Sequence, residues 1–593
     1  MTRPIAGDLG DCSEILRGPE ALGGRGSTFL GLQALTDRRA GCHSAEVTTP
    51  ASEIAPTQKV TTEEPEASAT AEGGPGAGAG AAGAGDRNGD VTRAAGRGGL
   101  AVAFAKVYFI LVGLVQQIAL PRLLGLDGYG ALASVLSIAG ITYNPVTTTS
   151  IQSVSRAVAL ATPETEAGTI RRVFTIHALF ALLLASGFFV LAPFIADSVG
   201  APHVVGPLRI LSAVMLLYGL YTPLIGVLNG QRKFVSQAAL DVIAGTLRTF
   251  GLITGAFVFA RYHLAVEGAT VGFVGGASLI LTVALLLVGI GKRGAASVSV
   301  RAHLLFALPV LLGQVLFNLL LQADLTLLRR FASQAALARG MPAAAADPLV
   351  GAYRATQLFS FLPYQLLIAV TFILFPMLAS AARDGDRQAV ARYVSTGVRL
   401  ALVLAGLMVS VTAGLSDRLL YLVFGPEAAT LGGTSLELLA IGFGGFAIFG
   451  VLTTVLNSLK HERESVIVTA VAVTLVVALC YLRVRGAPFG EHLLLYTAQA
   501  TAAGLFVATL SAAFFVYRAA GAVAPPLTLA RVLVAIFIAT SVGRFLPQAG
   551  KFLTPVYAVV VALAYVLILL VTRELAAADL ATLRAVAAKR RPR

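Results

Sequence analysis

The residues of this chain with chemistry to offer are polar groups set inside long apolar stretches, where each costs free energy and marks a pathway when it faces a cavity. Gln314, Asn318 and Gln322 recur at helical spacing and form one polar stripe, with Pro309 a turn earlier. Lys106 and Gln117 share a helix face with Gly113, and Gln116 lies beside it. Asp241 and Arg248 share another face at two-turn spacing, about 10 Å apart and too far for a direct pair. Arg354 and Gln365 share a third, and Asp324 is close enough in sequence to neutralise Arg329, Arg330 or Arg354. The cavity candidates are therefore Lys106, Gln117, Arg248, Gln314, Asn318, Gln322, Arg354 and Gln365, whose cations suit an anionic cargo. Asp241 and Asp324 are the candidates for ion coupling. Pro145, Pro309 and Pro363 are candidate helix breaks, because a proline frees backbone groups that a wet cavity or a neighbouring helix must satisfy. A structural reading competes with each: amide glue between helices, a snorkelling lysine, an interfacial ion pair.

Enzymatic signals are missing from the sequence. It contains no His-Glu-x-x-His helix, Cys-x-x-Cys pair, nucleophile elbow or nucleotide-binding motif, and no polar segment long enough to fold as a catalytic domain. Neither an enzyme nor a cofactor nor a metal site is expected. Cys12, Cys42 and Cys480 are too scattered for a disulfide framework or a zinc site. His303 reads as a lone interfacial histidine near a helix start.

The elements that must position these groups follow from composition. The 593 residues are 56% hydrophobic and 13% charged, with a mean hydropathy of +0.79, which defines an all-α polytopic membrane protein. The net charge of +14 is spread over loops and tails and not gathered in one basic domain, so it reads as topology information and not as a nucleic-acid surface. Residues 1–97 are polar and biased, with a Gly-Ala run that lacks the Gly-Lys-Ser/Thr ending of a phosphate loop. They read as a disordered cytoplasmic tail without the apolar core of a signal peptide.

From Leu100 onward, apolar stretches of membrane-crossing length recur and predict about fourteen spans. Six fall in an N-lobe, 98–291, and six in a C-lobe, 300–517. Two more lie in 525–573, ahead of a basic tail at 574–593. The segment from Leu208, LRILSAVMLLYGLYTPLIGVLNGQRKF, returns from Leu436 as LELLAIGFGGFAIFGVLTTVLNSLKHERE. Without a gap, Tyr218 aligns with Phe446, Tyr221 with Phe449 and Asn229 with Asn457, and a short basic loop follows each copy. This predicts an internal duplication, two like lobes in pseudo-symmetric repeat with a pathway between them. Basic residues concentrate in one alternate set of loops, including Arg171, Arg172, Arg232, Lys233, Lys292, Arg293, Lys460 and Arg463, and in the C-terminal cluster Lys589, Arg590, Arg591 and Arg593. That set reads as cytoplasmic, with both termini inside.

Several short motifs resemble the polysaccharide flippases of the multidrug/oligosaccharidyl-lipid/polysaccharide exporter superfamily. LPRLLGLDGYGALASV at Leu120–Val135 is similar to that family's first loop and the Tyr-Gly opening its second helix. SVSRAVA near Arg156 and LNGQRKF at Leu228–Phe234 extend the likeness. VGAYRATQL from Val350, FPMLASAARDGD from Phe375 and LVFGPE from Leu422 continue it in the second half. The resemblance implies a twelve-helix core with two added helices and a central cavity opening alternately to either side. It implies an undecaprenyl-diphosphate-linked oligosaccharide as cargo, carried across the bacterial inner membrane for surface polysaccharide or lipopolysaccharide synthesis, with a polymerase and glycosyltransferases as partners. Basic cavity residues would meet the diphosphate, in keeping with Lys106, Arg248 and Arg354. Lipid II flippases are similar in helix count, but the Arg-Asp and Asp-Ala-Phe-Phe pattern expected around their first two helices is not present. A cation-coupled drug exporter, a lipid II flippase and a non-transporting scaffold stay open as alternatives.

Overall fold

The computed structural model describes residues 84–547 and 550–575. Residues 1–83 and 576–593, which hold most of the two expected tails, lie outside the described residues. Among the described residues there are fifteen α-helices and no strand, as a hydrocarbon solvent demands, because only a helix satisfies its own backbone there. Helix α1 (Ala84–Ala159) already includes residues 84–97, which the sequence reading assigned to the tail. It carries two spans as arms 84–124 and 126–159, joined at Gly125, whose φ of 70° reverses the chain. The remaining N-lobe helices are α2 (Glu166–Ser198), α3 (Val205–Gly230), α4 (Phe234–Ala260) and α5 (Ala265–Val288).

Helix α6 (Val300–Leu337) leads into the C-lobe. One span is shared by α7 (Asp347–Ser360) and α8 (Leu362–Arg383). Then follow α9 (Arg387–Gly414), the short α10 (Ser416–Phe424), α11 (Pro426–Ser458), α12 (Glu462–Val484) and α13 (Glu491–Ala520). Two further helices, α14 (Pro526–Phe545) and α15 (Thr554–Val571), complete the set. Twelve of these helices are singly long and apolar enough to cross a membrane. Counting α1 twice and adding the α7–α8 span gives fourteen crossings. One face of the bundle carries the turns at Gly125, 199–204, 261–264, 338–346 and 485–490, and the connection segments 546–547 and 550–553. The opposite, second face carries those at 160–165, 231–233, 289–299, 384–386, 459–461 and 521–525.

The duplication is visible in three dimensions. Helices α3 and α11 are the most enclosed of their lobes, each with 67% of its membrane window buried. Both end in the same geometry. Arg232, at φ 59°, donates its amide to the Asn229 carbonyl at 3.0 Å, and Lys460, at φ 64°, donates to Asn457 at 3.2 Å. The following Lys233 and His461 amides reach back to Leu228 and Leu456, closing matching C-terminal caps. Glycines bring neighbouring helices together where apolar side chains gain nothing over lipid: Gly251 and Gly255 of α4 lie against Gly272 and Gly268 of α5 so closely that any Cβ would overlap the facing carbonyls.

The added pair docks on α9 and α10 through polar clamps at both faces. On the second face Glu574, 3% exposed, accepts from Arg399 Nε at 2.8 Å, Thr528 Oγ1 at 2.8 Å and Arg531 Nη1 at 3.1 Å. Burial alone raises its pKa, but these donors together outweigh burial and hold the carboxyl below its ordinary range. On the first face Arg544 pairs with Glu437, and Arg418 Nη1 caps the end of α14 at the Gly543 carbonyl, 2.7 Å away. Mid-membrane, Tyr565 donates to the Val403 carbonyl at 3.0 Å beside Gly406, where a Cβ would strike its hydroxyl.

Candidate functional site

Helix α6 is shared between the two lobes. Its second half contributes Leu320, Leu325, Leu328 and Phe331 to the C-lobe core. Its first half lies on the N-lobe, with Arg156 of α1 stacked over Phe306 at 4.1 Å and Arg172 of α2 donating to the Val298 carbonyl at 2.9 Å. The polar stripe turns toward the long second arm of α1. Ser137 lies 3.4 Å from both the Gln322 carbonyl and the Thr326 hydroxyl, and Gly140 leaves room where the Asn144 and Gln322 amides converge. Gln322 Oε1 is buried without a hydrogen-bond partner, whereas Asn318 donates to the Gln314 carbonyl of its own helix at 2.9 Å. Helical dihedrals continue through Pro145 and Pro309. The breaks fall instead at Gly125 and at Phe361, with Pro363 in the first turn of α8.

Toward the first face, polar groups of the two lobes come together. Tyr129 donates to Gln117 at 2.7 Å within the N-lobe, and the Arg354 guanidinium of α7 bears on the same Tyr129 hydroxyl. Arg354 donates to Gln357 Oε1 at 3.0 Å, and Gln357 Nε2 reaches both Asp324 oxygens at 3.1 Å. Asp324, 1% exposed, also accepts from Tyr353 at 2.8 Å, the Leu325 amide at 2.8 Å and Thr501 of α13 at 3.4 Å. Of the three arginines near it in sequence, Arg354 acts on Asp324 through its charge, with Gln357 between them and no ion pair formed, whereas Arg329 takes another acid. That acid is Asp347, the first residue of α7, which pairs with Arg329 and lies 3.1 Å from His203 Nε2 of the N-lobe. Gly130 of α1 and Gly351 of α7 let the two backbones touch beside this cluster.

Deeper in the N-lobe, Arg248 lies over the Phe273 ring at 5.2 Å. Tyr218 meets Phe273 at 5.7 Å, Tyr221 at 5.8 Å and Tyr143 at 6.3 Å, and Asp241 bears on Tyr221. Tyr218 and Phe446 occupy matching places. Phe446 packs against Tyr364 at 4.9 Å, Phe443 at 5.8 Å and Phe317 at 6.1 Å. Gln365 is exposed on α8, across the break from Arg354, and the side chain of Lys106 lies outside the described residues. Among the described residues neither Arg248 nor Arg354 forms an ion pair. His303, read from sequence as lone and interfacial, is 2% exposed and meets His177 of α2. Sequence reasoning missed Tyr129, Gln357, Tyr353, Thr501 and His177. Only Gln357, one turn from Arg354, carried a positional signal.

Two lobes of like helices with polar groups along their junction make this a multi-pass membrane transporter fold. Residues 95–382 match the family described as polysaccharide biosynthesis protein. The structure is similar to a lipid II flippase in an inward closed conformation, at TM-score 0.67 and 13% identity, covering 80% of this chain and 99% of that one. It is also similar to an inward-facing multidrug resistance transporter, at TM-score 0.55 and 14% identity, covering 70% and 95%. A transporter from Pyrococcus furiosus with a binding pocket of reversed polarity matches at TM-score 0.51 and 13% identity, covering 71% and 95%. No curated protein sequence matches the chain significantly. The likeness to these solved structures is one of fold, and the match to the polysaccharide biosynthesis family covers residues 95–382, just under half of the chain.

Proposed function

We propose that this protein is a flippase for an undecaprenyl-diphosphate-linked oligosaccharide, moving it by alternating access from the cytoplasmic to the outer leaflet of a bacterial inner membrane. One observation carries the reading: Arg354 of α7 is bound to the Gln357 amide and Arg248 of α4 lies over the Phe273 ring, with no ion pair to either among the described residues. Their charge stays available to an anion, and a diphosphate is the anionic part of such a cargo. The second face is the cytoplasmic one, on the basic loops around Arg171, Arg172, Arg232, Lys233, Lys460 and Arg463. Polymerase and glycosyltransferases are the expected partners, upstream and downstream of the transfer.

The driving force is an ion gradient or the membrane potential, worth roughly 2.3 kcal/mol per elementary charge per 100 mV. Asp324 is the coupling candidate of the C-lobe, since its buried carboxyl is joined through Gln357 to Arg354 and so senses what Arg354 holds. Asp241 is the corresponding candidate of the N-lobe. Flipping of a lipid-linked oligosaccharide is measured in reconstituted vesicles under an imposed potential and normalised to inserted protein. Arg354→Ala and Arg248→Ala are expected to lose transport while inserting normally, and Arg→Lys at either position to keep part of it. Full activity in both alanine variants overturns the reading. Drug efflux in the same vesicles without glycan-lipid movement supports the exporter alternative.

A further inference from the structure

We infer that His177 and His303 form a proton-binding site that governs whether the first turns of α6 stay packed on the N-lobe. Their Nε2 atoms lie 3.0 Å apart with the rings nearly perpendicular, and the side chains are 8% and 2% exposed. Ser153 of α1 adds its hydroxyl 3.3 Å from His177 Nε2. A contact of that length between two ring nitrogens holds a single proton: one ring donates, the other accepts, and both are neutral in opposite tautomers. A second proton sets two N–H groups head to head and leaves a buried cation.

The charged groups on the surrounding elements offer that cation no compensation. Arg156 on α1, Arg171 and Arg172 on α2, Arg301 on α6, and Lys292 and Arg293 on the 289–299 connection are all basic. Glu166 begins α2 about three turns before His177 and is engaged by Gln231. Helix α3, packed against α2, carries only Arg209, Tyr218 and Tyr221 as ionisable groups, and Arg209 sits over Phe189 toward the other face. The close contact and the second proton therefore exclude each other.

Position makes this consequential. The pair sits in the patch that fastens α6 to the N-lobe, with the Thr169–Ser297 contact at 3.0 Å, the Arg172 bond to Val298 and the Arg156–Phe306 stack. The rest of α6, beyond Pro309 and Gly313, belongs to the C-lobe core. Protonation thus releases the N-terminal end of the helix that joins the lobes, whatever cargo the cavity takes.

The test is amide hydrogen exchange of 299–308 in nanodiscs between pH 8 and pH 5, corrected for intrinsic exchange and referenced to α12. Opening by one proton predicts protection in the wild type falling by up to about tenfold per pH unit once the pair titrates. The double variant His177→Gln with His303→Gln, which leaves no imidazole in the patch to take the proton, is expected to give a flat profile. Wild-type pH dependence in the double variant overturns the inference, and so does a flat wild-type profile, which needs no variant to fold. Because the measurement contains no substrate, its failure is separate from failure of the flippase reading.

Discussion

Gly130 of α1 and Gly351 of α7 meet backbone to backbone across the two lobes: a Cβ on Gly130 would overlap the Asp347 carbonyl and come within 2.7 Å of the Gly351 nitrogen. A Cβ on Gly351 would in turn overlap the Leu126 carbonyl. The first face is closed by this contact, and helix backbones do not yield to such an intrusion.

Gly351→Leu is therefore expected to hold the first face open while leaving each lobe folded. Ser333, fully buried beneath Gly200 of the N-lobe, supplies the reporter. In a Ser333→Cys background, labelling by a membrane-impermeant maleimide should rise roughly tenfold or more in Gly351→Leu, as a two-state population shift requires. Transport should fall with it. Equal labelling in both backgrounds would show that the contact does not set the state of the face.

Arg329 is 1% exposed and depends on Asp347 for its charge partner. Asp347→Asn strands that guanidinium and should cost about 3–5 kcal/mol, read as a lower thermal midpoint and reduced accumulation. The double replacement Arg329→Met with Asp347→Leu should recover much of the loss, because no buried charge is left behind. A double variant as damaged as the single one contradicts this account.

Asp324 accepts from the Tyr353 hydroxyl, the Gln357 amide and the Leu325 N–H at once. Asp324→Asn keeps the shape but turns one acceptor into a donor facing donors, at a cost of about 1–3 kcal/mol for each group left unsatisfied. Tyr353→Phe removes one donor and should cost less. If Asp324 also couples transport to an ion, the flipping rate of the inserted Asn variant should lose its dependence on the ion gradient; a rate that scales only with inserted protein marks the residue as structural.

Glu574 gives the docking of α14 and α15 a pH dependence. Its carboxyl is held below the ordinary glutamate range by the donors of Arg399, Thr528 and Arg531, which outweigh burial. A depressed carboxylate stabilises fully above its unfolded pKa, near 4.3, and the contribution is lost as pH falls through the lower folded value. Limited proteolysis of the 521–525 turn should therefore accelerate below about pH 4 in the wild type. Glu574→Gln should be cleaved faster already at neutral pH, by about 2 kcal/mol of lost charge-assisted bonding, with little further change on acidification.

The sequence by itself determined the class, the spans and the repeat. Hydrocarbon tolerates only self-satisfied helices, so apolar length alone placed the crossings, and the Leu-Asn ends at Asn229 and Asn457 marked two helices that do finish in the same cap. The polar residues within spans were legible as exceptions: Asp324 and Arg354 are joined through Gln357, and Gln117 accepts from the Tyr129 hydroxyl on which Arg354 bears. Their partners were not legible, because helical periodicity orders side chains along one helix and says nothing of which helix comes alongside. Tertiary structure alone decided that Arg329 takes Asp347 and not Asp324, and that α1 keeps helical dihedrals through Pro145. It also set His303 against a histidine 126 residues earlier. Each outcome depends on rotation and close approach between packed helices, which glycine positions such as Gly130 and Gly351 permit only after the lobes have met.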